Sequence, residues 1–333
     1  MRTDLIFKYL FLATVIFFTT LIISSCASSS STPTTATHAY IANKSGRQVS
    51  VLNAATGAIE KAVKVGRYPL GVAVTPDGSK VYVTNYSAPP GGSVSVIKTS
   101  DGTTTEIMVG TNPLGIAVTP DGGKAYVANF SSNTISVITT TNEAVSATIP
   151  VTTPYGVAVT PDGTKVYVTN YTGGSVSVIN TASASVVSTI AVGTNPIGIM
   201  VAPDGTKAYV NNFGSNSVSI INTTSDTISG SVEVGRGPYG IAVTPDSSKV
   251  YITNYSATGG TVSVITASTE SVAATITVEA NPIGVSVTAD GSKVYVANSG
   301  ADSVCVINSA TNLVTATFPA GSGPTSFGNF IGP

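Results

Sequence analysis

From Tyr40 onward, short runs of β-branched and apolar residues alternate with polar turns, and one unit of the alternation reads as four strands. Gly71-Val72-Ala73-Val74 is short and wholly apolar, as a strand covered on both faces requires. Thr75-Pro76-Asp77-Gly78 follows with Pro second and Gly fourth, the placement a type I turn prefers. Lys80–Asn85 is the second strand, Val94–Ile97 the third, and the more polar stretch Thr103–Val109 the fourth. The drift from an apolar first strand to a polar fourth suits a sheet whose first strand lies at an axis and whose last faces solvent.

The unit recurs. A Tyr-x-x-Asn word begins at Tyr40, Tyr82, Tyr126, Tyr167, Tyr209, Tyr251 and Tyr295, with steps of 41 to 44 residues. A Pro-x-Gly word accompanies it at Pro69, Pro113, Pro154, Pro196, Pro238 and Pro282, and its seventh copy is broken: Pro324-Thr325-Ser326. Four strands per unit of about 40 residues, seven times over, is the pattern of a β-propeller. An immunoglobulin-like array needs about 100 residues per unit. The expected fold is therefore all-β, a seven-bladed β-propeller of four-stranded antiparallel blades. The repeat opens on a second-strand word with no first strand before it and closes on a first-strand word with no second strand after it. The C-terminal strand, residues 324–330, should thus complete the N-terminal blade beside residues 40–43 and close the ring, removing the free sheet edges of an open stack.

Tyr82-Val83-Thr84-Asn85, Tyr126-Val127-Ala128-Asn129 and Tyr167-Val168-Thr169-Asn170, with the Thr-Pro-Asp-Gly turns and Ser-Val-Ser-Val-Ile strands, resemble the YVTN-repeat propellers of surface-layer and secreted proteins. The resemblance covers nearly all of residues 40–333 and implies the propeller fold. It constrains function weakly, because related propellers include lactonase-like enzymes and amine-dehydrogenase-like chains.

The start of the chain reads as an address. Arg2 and Lys8 precede an apolar run from Tyr9 to Ile23, which meets Ser24-Ser25-Cys26. This is the layout of a secretory signal, and its apolar run is shorter than the roughly 20 residues that span a bilayer. Ile23-Ser24-Ser25-Cys26 resembles the lipobox of bacterial lipoproteins, which implies acylation of Cys26 and removal of residues 1–25. The alternative is an ordinary signal cut near Ala27. Residues 26–38, rich in Ser and Thr, read as a tether with His38 as a solvated residue at its end, and residues 39–333 as the propeller. The resulting expectation is a protein of the cell envelope, lipid-anchored to a membrane and facing the periplasm or exterior.

Composition narrows the chemistry. Fifteen Lys and Arg against sixteen Asp and Glu leave a net charge of −1, which offers no attraction to nucleic acid. One His and two Cys preclude zinc sites built from several such ligands. Asp77, Asp121, Asp162, Asp204, Asp246 and Asp290 share one turn position, and Lys80, Lys124, Lys165, Lys207, Lys249 and Lys293 another, so both sets are assigned to the fold. Cys305 replaces the repeated Ser of the third strand and reads as a buried thiol. The repeated Asn is read as tying its loop rather than lining the axis. The remaining acids fall mostly in fourth strands or outer turns, away from the axial mouth.

One rim is left. After the repeated Asn come Tyr86, Phe130, Tyr171, Phe213 and Tyr255, with Lys44 and Ser299 in the other two blades. Between Pro and Gly, Tyr155 and Tyr239 are the aromatic members of an otherwise aliphatic set, and Arg67 and Arg236 are basic two residues before Pro. These residues either pack between blades or form a mouth that stacks on sugar rings or grips an apolar protein segment. The expected function is a non-enzymatic binding or surface-structural module, with an envelope protein or glycan as partner and no catalytic, cofactor or metal residue. The alternatives are a lactonase-like or lyase-like hydrolytic propeller, which needs a metal or a general base near the axis, and a redox-chain subunit, for which the sequence has no haem motif.

Overall fold

The computed structural model describes residues 38–86 and 91–332. Cys26, the signal segment and all of the tether except His38 lie outside them. Among the described residues there is no helix, and every sheet is antiparallel. Seven four-stranded blades form a closed ring. Blade 4 is typical, running outward from the axis through Pro154–Val159, Lys165–Asn170, Ser175–Asn180 and Ser185–Ala191. The inner and middle strands are buried and the outer strand is largely exposed, which accounts for the gradient of polarity along each repeat.

The core lies between blades. Each repeated Tyr is buried with the apolar residues of its own blade and those of the next: Tyr82 of blade 2 clusters with Ile116, Val127 and Ile138 of blade 3. Burial pushes the Tyr82, Tyr209 and Tyr251 phenols up to about 12. The repeated Lys supplies a second tie between blades. Lys80 Nζ donates to the Thr140 carbonyl (3.0 Å) and to Glu143 (2.8 Å) in the next blade, and Lys165 does the same to Thr223 and Asp226. The last link of this circle joins Lys293 and the Tyr295 hydroxyl of blade 7 to the Ala54 carbonyl of blade 1.

The Pro-x-Gly word is the axial hub. A Cβ on Gly71 would stand 2.2 Å from the Leu114 carbonyl oxygen of the next blade, and one on Gly156 would stand 2.2 Å from that of Ile197. Only glycine permits this approach. In three blades the Thr of the Tyr-x-Thr-Asn word relays between neighbours. Thr84 Oγ1 accepts from Gly71 N–H (2.8 Å) and donates to the Leu114 carbonyl (2.7 Å), and Thr169 and Thr253 repeat the arrangement. The repeated Asn is a loop tie, as expected, but its partners are hydroxyls: Asn170 Nδ2 donates to Ser175 and Ser177, both at 2.9 Å. Asn298 finds the buried Cys305 Sγ at 3.0 Å where its sisters find Ser.

Closure occurs as expected, though by isolated bridges in place of a regular strand. Ala39 pairs with Ile331 and Asn43 with Pro324, both antiparallel, while Phe327 bridges in parallel to Gly71 of blade 2. Ser326 and Gly328, at φ of 31° and 113°, turn the segment out of line. Phe327 N–H then donates to Leu70 (3.0 Å), Val72 N–H donates to Phe327 (2.9 Å), and Ser326 Oγ replaces the missing ladder by bonding Ala42 N–H (2.8 Å) and the Tyr40 carbonyl (3.2 Å). One expectation is corrected. His38 is the first residue of the blade 1 strand His38–Asn43, opposite Asn53, and its Nε2 lies 2.9 Å from Glu60 Oε2. It is not a tether residue, because Glu60 on the third strand of the same blade gives the imidazole a partner.

Five of the six Thr-Pro-Asp-Gly-like turns open with a Thr whose hydroxyl donates to the Asp and accepts from the following strand, as Thr160 does with Asp162 (2.5 Å) and Lys165 N–H (3.0 Å). Hydrogen bonds from Thr75, and from Ser79 behind it, hold the Asp77 carboxyl down to about 2. Blade 5 has Ala202 at this position. Ala202→Thr is therefore expected to stabilise the protein by about 1 kcal/mol and to raise Tm by roughly 2 °C, measured by calorimetry.

Candidate functional site: an aromatic bowl on the axis

The rim expected to carry recognition is built by one repeated backbone bond. The residue after each Asn donates its N–H to the residue before each Pro: Tyr86 to Tyr68, Phe130 to Asn112, Tyr171 to Thr153, Phe213 to Asn195, Tyr255 to Gly237, Ser299 to Asn281 and Lys44 to Gly323, at 2.9–3.1 Å. The accepting residue is left-handed in all seven blades, which accounts for the three Asn and two Gly found there. This bond places the side chain after Asn and the side chain between Pro and Gly on the same face of the ring.

Tyr155 of blade 4 and Tyr239 of blade 6 reach over the axis and share a hydroxyl-to-hydroxyl hydrogen bond, although a blade separates them. Phe327 meets both edge-on from the closing segment, its ring centroid 5.8 Å from Tyr155 and 5.9 Å from Tyr239. Phe130 and Tyr171 flank Tyr155 at 6.1 and 5.9 Å, and Phe213 and Tyr255 flank Tyr239 at 6.2 and 6.3 Å. These spacings are those of favourable aromatic pairs, each worth about 0.5–1.5 kcal/mol beyond the area buried. Burial raises the Tyr155 phenol well above its ordinary range, with further upward pushes from Tyr239, and burial likewise raises Tyr239. Both hydroxyls are thus neutral donors and acceptors at physiological pH.

The cluster floors and walls a bowl of about 370 Å3 on the axis, completed by Tyr86, Ser299, Lys44 and the aliphatic Leu70, Leu114 and Ile283. Phe327 also lines a narrower channel of about 160 Å3 formed by the inner strands, so it stands between the two spaces. Beside the bowl, and sharing Tyr255 with it, is a hollow of about 520 Å3 bordered by Phe213, Asn216 and Arg236. Arg67 is exposed on the rim, its guanidinium 5.9 Å from the ring of Tyr68, and does not border the bowl.

The structure therefore gathers Tyr86, Phe130, Tyr155, Tyr239 and Tyr255 in the bowl wall, with Tyr171 and Phe213 stacked behind them. The residue that sequence reasoning missed is Phe327. Its signal was present: the position after Pro-x-Gly is Val or Ile in six blades and Phe in the broken seventh word. The non-repeated acids lie elsewhere. Glu143, Asp226 and Glu270 pair with Lys80, Lys165 and Lys207, and Ser93 and Ser303 donate to Glu106 and Glu279. Among the described residues no three His, Cys, Asp or Glu side chains come together as a metal site would need.

A closed seven-bladed ring of antiparallel sheets with an aromatic bowl at one mouth defines the class of protein: a β-propeller. Among solved structures the chain resembles a functionally unknown protein from Desulfotomaculum acetoxidans, at 19% identity and a TM-score of 0.75, covering 88% of this chain and 99% of that one. It also resembles a protein from Bacteroides uniformis provisionally assigned as a 6-phosphogluconolactonase, at 15% identity and a TM-score of 0.75, covering 87% and 98%. A third likeness is to hydrazine synthase of Kuenenia stuttgartiensis, at 22% identity and a TM-score of 0.70, covering 78% and 88%. At these identities the likeness is one of fold. No family model and no curated relative matches the chain.

Proposed function

We propose that the protein is a non-enzymatic binding module of the cell envelope, a propeller held on a membrane through a lipid on Cys26 and recognising its ligand at the aromatic bowl. The observation that carries the reading is the content of the bowl: stacking faces, hydroxyls and one ammonium, with no carboxylate or imidazole on its wall among the described residues. Such a surface offers contact area and orientation, while a hydrolase of the lactonase or lyase kind needs a positioned base or a metal-holding carboxylate set. The scaffold suits recognition because the bowl side chains stand on inner strands and on loops locked by the seven rim hydrogen bonds, so little ordering entropy is spent on binding. The anchor rests on the Cys26 lipobox resemblance, and acyl burial worth about 0.8 kcal/mol per CH2 holds such a protein on a bilayer when two or more chains are attached.

The test is Tyr171→Ala combined with Tyr255→Ala. Tyr255 is exposed and Tyr171 half-buried, so the double variant is expected to keep its fold by circular dichroism. Its capture of envelope glycans and proteins on an array should fall at least about tenfold, since aromatic anchors commonly carry 2 kcal/mol or more. Unchanged capture by the folded variant defeats the bowl as the recognition surface. Mass spectrometry of the mature N-terminus tests the anchor, and an unmodified Cys26 thiol defeats it.

A further inference from the structure

The bowl is not uniform around its axis. At the seven equivalent positions after Asn, five consecutive blades present Tyr or Phe, and the two blades that meet at the closure, 7 and 1, present Ser299 and Lys44. Lys44 borders the bowl, exposed, with its backbone N–H held by Gly323 (3.0 Å) and its ammonium without a partner among the described residues. In contrast, Lys80, Lys165 and Lys207 on the opposite rim each have a carboxylate at 2.7–2.8 Å. Among the described residues no Asp or Glu borders either the bowl or the adjoining hollow, where Arg236 is the second cation. A cleft with one sign of charge and low-dielectric walls focuses its field on the incoming ligand. The field here is positive at one side of an aromatic wall.

We infer that the bowl takes a ring carrying a carboxylate, an acidic sugar of the uronate type, with Lys44 holding the carboxylate and the Tyr and Phe wall holding the ring. The inference rests on reading the bowl as a binding site. A pyranose presents an apolar C–H face for stacking and hydroxyls for the Tyr86, Tyr255 and Ser299 hydroxyls, which an aromatic acid does not have. A cationic ligand, which an aromatic cage alone would attract, is repelled by Lys44 and Arg236. A neutral sugar leaves the ammonium without its counter-charge. Because Tyr255 borders both spaces, a ligand longer than one ring runs from Lys44 across the bowl toward Arg236, so a short polyuronate engages both cations.

The experiment is a calorimetric titration of the full chain with trigalacturonate, a matched neutral trisaccharide, and benzoate as an aromatic acid. Tyrosine emission gives a second readout, clean because the chain has no Trp. Trigalacturonate should bind at least about tenfold more tightly than the other two, and added salt should weaken it. Lys44→Met should remove that preference and its salt dependence without changing the melting temperature, and Lys44→Arg should retain the preference. Equal binding of neutral and acidic saccharide, or no loss in Lys44→Met, overturns the charge assignment and leaves the bowl reading standing. Benzoate binding as tightly as the saccharide overturns the sugar assignment. Failure of trigalacturonate to bind overturns the inference outright, and the bowl reading is then decided by the Tyr171/Tyr255 variant.

Discussion

A chain ending at Gly323 should unfold well below the full-length protein, by roughly 10 °C or more in a calorimetric scan, and Phe330→Ala should reproduce a large part of that loss. Residues beyond Gly323 supply the inner strand of blade 1. Phe330 is completely buried and Ile331 is 6% exposed, both within the cluster that joins blades 7, 1 and 2. Emptying a buried Phe site costs about 3–5 kcal/mol. The truncation also removes the backbone bonds from Tyr40, Val72 and Thr325 across the seam and leaves Ala42 N–H without Ser326. Since about 1 kcal/mol moves Tm by some 2 °C in a domain of this size, the losses add to the stated shift. A repeat array without closure frays from its end, so the truncated chain should also unfold over a broader range. An unchanged, sharp transition would show that the ring is held elsewhere, for example by the Lys293 and Tyr295 contacts to Ala54 alone.

The parts of the molecule that could be read from the chain are those that repeat. Seven Tyr-x-x-Asn words identified the second strands, and the mismatched ends identified the closure. The fixed positions of Asp77 and Lys80 in every intact unit marked them as structural before any partner was known. What could not be read is what each repeat touches in the next one. Lys80 and Glu143 are 63 residues apart, and nothing local to either announces the pair. Glu60 lies 22 residues from His38, so the imidazole looked like part of a polar linker when it belongs to a strand. The bowl was legible as a set of residues on one rim. It was not legible as a contact between Tyr155 and Tyr239, because how far a side chain must reach to cross the axis depends on how closely six glycines and the Ser326 that replaces the seventh let the inner strands approach. Phe327 was hidden for the opposite reason. Its segment departs from the repeat, and its swing toward blade 2 follows from two left-handed residues acting together.

Alkali should unfold the protein cooperatively between about pH 10 and 12, and the transition should coincide with the part of the ultraviolet phenolate signal that comes from the seven repeated, buried tyrosines. Tyr82, Tyr209 and Tyr251 have phenols pushed up to about 12 by burial, with Glu143, Glu270 and the turn aspartates adding to the effect. Tyr40, Tyr126, Tyr167 and Tyr295 are raised in the same direction. An unfolded chain releases these protons near pH 10. Their contribution to stability is therefore fully present below pH 10, where both states hold the proton, and is lost as the pH rises through the folded values. A displacement of about two pH units corresponds to roughly 2.7 kcal/mol per group, so a few such groups rival the whole stability of an ordinary domain. The groups also sit in different blade interfaces, and ionising any one of them loosens a joint of the ring. Tyr82→Phe tests the assignment in one interface. Its hydroxyl is buried without a hydrogen-bond partner, so replacing it removes a charge-forming group without breaking a bond, and the variant should be as stable as the parent at pH 7 and more stable at pH 11. Phenolate absorbance in excess of what the tyrosines outside the seven repeated positions can supply, developing while the sheet signal stays intact, would mean that the buried rings titrate inside the folded ring, and that the inter-blade packing does not depend on their protons.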